Sequence, residues 1–154
     1  MSNHIDFGQL VAVSGDAIVV SDGEGSITYW NRAAERIFGF PASEAIGSSL
    51  DIIIPERQRK RHWDGYAETM RTGETRYGES LLRVPALHKD GHTLSISFTV
   101  ALLRSAEGTP TDIVAVIRDE TERWAEEKAL RQRIRELEAA ASGPVASGFG
   151  SSWA

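Results

Sequence analysis

The spacing of apolar and polar side chains changes several times along the chain, and each change predicts an element. Residues 1–13 carry Ile5, Phe7, Leu10, Val11 and Val13 at loosely helical spacing, which predicts a short amphipathic N-terminal helix. DAIVVS (16–21) is an apolar, β-branched run, and SITYW (26–30) is a second. The intervening DGEGS supplies Gly23 and Gly25, which are free to take positive φ, so the two runs predict a hairpin.

Helical spacing returns in NRAAERIFGF, where Asn31 is a good N-cap, Ala34, Ile37 and Phe38 share a side, and Gly39 is a stop. PASEAIG predicts another short helix ended by Gly47. Pro55 suits the first turn of a helix, and Glu56 to Thr72 predicts the longest helix of the core, ended by Gly73. From Arg76 the period drops to two. Two long strands are predicted around Asp90-Gly91, and in the second Leu94, Ile96, Phe98 and Val100 alternate with Thr93, Ser95, Ser97 and Thr99. That is a strand with one buried face. After the loop SAEGTPTD, IVAVIRDE is the last strand.

Thr121 to Ala141 predicts a charged helix, with Leu130, Ile134, Leu137 and Ala141 at 4-3-4 spacing among Glu and Arg. The order β-β, small helices, β-β-β, with a helix at each end, predicts one antiparallel sheet with helices on one face, an α+β fold. The expected division is an N-terminal helix (1–13), a core (14–120), an outgoing helix (121–141) and a Gly/Ser-rich disordered tail (142–154).

Composition narrows the function classes. The chain has 154 residues, 41% apolar and 25% charged, enough for one core. A net charge of −5 argues against a nucleic-acid binder. The lack of cysteine excludes disulfides, thiolate metal sites, Cys nucleophiles and cysteinyl-flavin chemistry. No apolar run is long enough to span a membrane and no signal peptide is recognisable, so the expectation is a cytoplasmic protein.

One histidine carries the main chemical question. On the helix over Glu56–Thr72, at about 100° per residue, Trp63, Tyr66, Ala67 and Met70 form one apolar stripe, with Asp64, Glu68 and Arg71 opposite. His62 lies at the stripe's edge, where a neutral imidazole can lean inward and serve as a single axial ligand to haem iron. The plainer reading is a helix residue packed against Trp63 or the sheet. Arg57, Arg59, Arg61 and Arg76 are nearby partners for carboxylates. His88 and His92 flank KDG on a turn, which offers two imidazoles where metal sites want three or four ligands. Asp16, Asp22 and Glu24 lack calcium-loop spacing. No phosphate loop, nucleophile elbow, kinase or cyclase signature is present, and the expectation is a non-enzyme.

The stretches DAIVVSDGEGSITYWNRAAERIFGF, EAIGSSLDIIIPE, TGE…YGE, HKDGHTLSISFTV and IVAVIRDETER together resemble the PAS sensor family, over about Asp16 to Arg123. The resemblance implies a five-stranded antiparallel sheet cupping a small pocket beside the helix after IIIPE. It also implies dimerisation through flanking helices, with output through a separate signalling partner or through the chain's own oligomer. Asp119 and Thr121, in DET, match the family's Asp-x-Thr junction between the last strand and the outgoing helix.

The His62 segment is further similar to that of the haem-binding oxygen-sensor PAS domains. Their iron ligand is the eighth residue of a segment that begins Pro-Glu, and His62 is the eighth from Pro55. Tyr66, Met70, Thr72 and Gly73 follow in the same order, the Tyr one place later. Those sensors carry a distal Arg eight residues before the Asp-Gly turn; here that position is Leu82, and Arg83 is expected on the other face. The expected pocket comprises His62, Trp63, Tyr66, Met70, Leu82, Ile96, Phe98 and Val100, with His62 as metal ligand to haem b. Two alternatives stand beside this sensory module: a cofactor-free PAS dimerisation module, and a PAS domain binding flavin non-covalently.

Overall fold

The computed structural model describes residues 4–142 in full. Strands β1 (Ala17–Asp22), β2 (Ile27–Trp30), β3 (Leu82–Leu87), β4 (Thr93–Arg104) and β5 (Pro110–Asp119) form one antiparallel sheet of order β2-β1-β5-β4-β3. Helices α1 (Phe7–Val13), α2 (Arg32–Phe38), α3 (Ala42–Ala45) and α4 (Glu56–Thr72), with a 3-10 turn at Leu50–Ile53, complete the core unit. This is the predicted α+β arrangement. The chain divides after Glu120, and α5 (Thr121–Trp153) is a separate unit. Its bounds pass the expected end at Ala141; beyond Ser142 the expected tail lies outside the described residues.

Local rules account for most boundaries. The Asn31 side chain accepts from the Ala34 N–H at 3.0 Å and so caps α2. The same side chain accepts from the Ile18 N–H and donates to the carbonyls of Val11 and Asp16. A buried amide with four partners pins α1, β1 and α2 together. Gly39 and Gly73 end α2 and α4 in the left-handed region, at φ +84° and +73°. Strand β3 begins at Leu82, later than its apolar pattern suggested, because residues 76–79 form a turn.

Central strand β5 pairs with β1 from Ala17↔Ile117 to Asp22↔Asp112, and with β4 through Phe98↔Ile117 and Val100↔Ala115. The buried core gathers Ala17, Val19, Ile27, Trp30, Phe38, Leu94, Ile96, Ile113 and Ile117 from the sheet and α2. Inward positions of β3, β4 and β5 that α2 and α3 do not cover face α4, and the site lies there.

Candidate functional site

A cavity of about 730 Å³ lies between α4 and the sheet, within the range of small-molecule and cofactor pockets. Its floor is apolar: Val19 from β1, Leu82, Val84 and Ala86 from β3, Ile96, Phe98 and Val100 from β4, and Ile113, Ala115 and Ile117 from β5. Its helical wall is Gln58, Arg61, His62, Gly65, Tyr66, Glu68, Thr69 and Thr72. Those positions recur at three- and four-residue steps, so they are one face of a helix.

That face is rotated from the one the apolar stripe suggested. His62, Tyr66, Leu82, Ile96, Phe98 and Val100 line the cavity, whereas Trp63 and Met70 do not. The Trp63 indole N–H donates to Asp51 Oδ1 at 2.8 Å, and its ring lies over Gly25 in the β1–β2 turn. Met70 reaches the same turn at Gly23. The physical reason is that α4 carries two inward faces. The apolar one packs on the turn and the mixed one lines the cavity, with Tyr66 shared between them. The Tyr66 hydroxyl donates to the Asp22 carbonyl and shares a 2.9 Å hydrogen bond with the Ser21 hydroxyl. Burial pushes the Tyr66 phenol up, which keeps it a donor.

His62 has the distinctive environment. Its ring packs edge-on against Trp63 at 4.6 Å and tilted against Tyr66 at 5.7 Å between centroids. Its Nδ1 is buried without a hydrogen-bond partner, and so is Gln58 Oε1 one turn earlier on the same face. Burial lowers the His62 pKa, and the Asp51 carboxylate only partly opposes this. The neutral imidazole, the form that binds metals, is therefore favoured.

Gly65 sits one turn on, and a Cβ there would meet nothing within 4 Å. A glycine inside a helix costs about 1 kcal/mol relative to alanine, and this one stands at the exposed rim of the cavity lining.

Arginines flank the space unequally. Arg61 and Arg76 line the cavity, and so does exposed Arg83, which strand alternation had assigned to the far side. Arg83 lies on β3, an edge strand of the sheet. Arg59 is committed elsewhere, donating to the carbonyls of Ile54 and Asp51, and Arg57 is not on the cavity.

Asp119 ends β5 opposite Ile96, and the next residue's N–H, that of Glu120, donates to the Ser95 carbonyl at 2.8 Å. Thr121 opens α5. The strand whose inward residues floor the cavity is thus the one that runs into the outgoing helix. Gln58 and Gly65 escaped the sequence reading because neither is apolar. Their four- and three-residue steps to His62 were the available signal.

The fold and the cavity define a sensory ligand-pocket class, and comparison with known proteins gives its family. The model described as the PAS fold matches residues 6–119, and the chain belongs to that family. It is 34% identical over 123 residues to sensor protein FixL of Bradyrhizobium diazoefficiens, covering 79% of this chain and 24% of that one. It is 26% identical over 118 residues to oxygen sensor protein DosP of Escherichia coli, covering 77% of this chain and 14% of that one. The chain therefore spans less than a quarter of the length of either relative. Among solved structures, a PAS domain from Colwellia psychrerythraea superimposes with a TM-score of 0.67 at 22% identity, covering 75% of this chain and 95% of that one, a likeness of fold. These relatives support a sensor role. Among the described residues, no helix is long and apolar enough to cross a membrane.

Proposed function

We propose that this PAS domain is a haem-based sensory module with His62 as the axial ligand and no catalytic activity of its own. The observation that carries the reading is the His62 imidazole: kept neutral by burial and set on the wall of a cavity with an apolar floor.

The remaining residues fit the same group. The sheet floor is apolar, and Arg61 and Arg76 on the cavity lining offer guanidinium groups to propionates. Bound haem would supply an iron centre for a diatomic gas or an electron. The name of the DosP relative, an oxygen sensor, supports a gas as the input. Leu82 stands where the oxygen sensors carry their distal arginine, so the ligand side of this cavity is apolar at that position. Arg83 is the candidate donor in its place. Signal would leave along β5 to Asp119 and Thr121, because β5 carries floor residues and leads directly into α5.

Hemin added to the purified chain should give a Soret band at one haem per chain. His62→Ala should abolish or strongly weaken it, at a stability cost of about 1 kcal/mol that leaves the chain folded. A featureless visible spectrum after hemin addition would sink the reading.

The partner on the output side is read as a second copy of the chain. On α5, Leu130, Ile134 and Leu137 are exposed at 4-3 spacing, flanked by i,i+3 and i,i+4 ion pairs among Arg123, Glu127, Arg131, Arg133 and Glu136. That is the arrangement of a short paired seam. Sedimentation should show a dimer that Leu130→Glu with Leu137→Glu converts to monomer; a dimer unaffected by both would exclude α5 as the interface.

A further inference from the structure

A second group of ligating side chains lies away from the cavity, at the β3–β4 turn. His88, Asp90 and His92 each present one ligand atom, and the three atoms fall within 4.8 Å of one another. None of them lines the His62 cavity. The two imidazoles stack at 4.5 Å with 21° between planes, and both Nδ1 atoms approach the same oxygen, Asp90 Oδ1. Sequence spacing alone showed two histidines. The turn supplies the third ligand because Gly91, at φ +95°, folds the chain back and brings the Asp90 carboxylate to both Nδ1 atoms.

The tip is held in place rather than left to swing. The Lys89 N–H donates to the Phe38 carbonyl at 2.8 Å, and Lys89 Nζ pairs with Glu44 at 2.7 Å. The His88 ring rests on Gly39, where a Cβ would come within 2.6 Å of it. His88 is half-buried as a result, while Asp90 and His92 stay accessible.

The local hydrogen bonds leave a conflict that a cation resolves. The Asp90 N–H donates to His88 Nδ1 at 3.1 Å, so that nitrogen carries a lone pair. The lone pair lies 3.2 Å from Asp90 Oδ1. Asp90 Oδ1 accepts from the His92 backbone N–H at 2.9 Å and also meets the His92 ring. Two acceptors therefore face each other with no proton between them.

Nitrogen and oxygen ligands bound about 2.1 Å from a tetrahedral ion stand about 3.4 Å apart, close to the 3.2 Å between His88 Nδ1 and Asp90 Oδ1, and the stacked rings would turn to aim both nitrogens at the ion. Coordination would displace the Asp90 N–H from His88, and at an exposed tip water replaces it at little cost.

We propose that His88, Asp90 and His92 form a binding site for a borderline divalent cation of the Zn2+ class. Two imidazoles and a carboxylate are the donor set such ions take, and the lack of any cysteine directs the site away from softer metals. Three protein ligands leave a coordination position to water. The site stands independently of haem binding at His62.

The test is calorimetric titration of the chelator-treated full chain with ZnCl2, repeated with Co2+ for its visible bands. One saturable ion per chain is expected. His92→Ala and Asp90→Ala, both at exposed positions, should each weaken binding at least about tenfold. His62→Ala should leave it unchanged. Binding that survives His92→Ala, binding that is lost in His62→Ala instead, or no saturable Zn2+ uptake up to about 1 mM would each overturn the proposal.

Discussion

Helix α4 meets glycine twice, and the two encounters are opposites. On its apolar face the Trp63 ring fills the space over Gly25 so closely that a Cβ there would come within 2.1 Å of it. On its cavity face Gly65 looks into space that nothing occupies within 4 Å. The same division appears in neighbouring side chains. The Trp63 indole N–H has its partner in Asp51 at 2.8 Å, while His62 Nδ1 has none. One face of the helix is finished by the protein itself and the other is not. An interior normally packs to crystal-like density, so a cavity of about 730 Å³ along one wall marks a place that side chains leave open.

Three substitutions would break or sharpen that contrast. The largest effect is expected for Gly25→Ala. It forces a side chain into the left-handed region and onto the indole, and should cost about 3–4 kcal/mol, read as a lower midpoint in urea. A loss under about 1 kcal/mol would mean that the turn yields and that Trp63 does not fix it.

Next is Tyr66→Phe, which leaves the Asp22 carbonyl and the Ser21 hydroxyl without their shared partner on the boundary between the two faces. A loss of about 1 kcal/mol is expected, with the hemin spectrum retained.

The smallest effect, and of opposite sign, belongs to Gly65→Ala. Better helix propensity should stabilise the chain by about 0.5–1 kcal/mol, while the new methyl narrows the cavity and weakens hemin uptake. Stabilisation without any change in hemin affinity would show that the ligand does not use this wall.

Much of the fold was legible because its signals are local. Asn31, Gly39, Pro55 and Gly73 bounded helices through capping and dihedral rules that need no tertiary context. Alternation in β4 identified Leu94, Ile96, Phe98 and Val100 as the inward set, and they are partly or fully buried. The pocket was harder to read. Six of the eight expected lining residues line the cavity, and the two that do not, Trp63 and Met70, are the most apolar of those on α4. Hydrophobic patterning finds surfaces that protein atoms cover. A ligand wall can carry Gln58, His62, Gly65 and Thr69, which such a pattern takes for solvent.

By itself, then, the sequence determined most of the elements, the antiparallel α+β class and the inward face of β4, because turn chemistry and side-chain period act over a few residues. Only the tertiary structure decided how α4 is rotated. That rotation depends on the fit of Trp63 over Gly25, an encounter between residues far apart in the chain. Packing decided in turn that His62 is the side chain left facing the cavity, and the fold of one turn decided that Asp90 stands between His88 and His92.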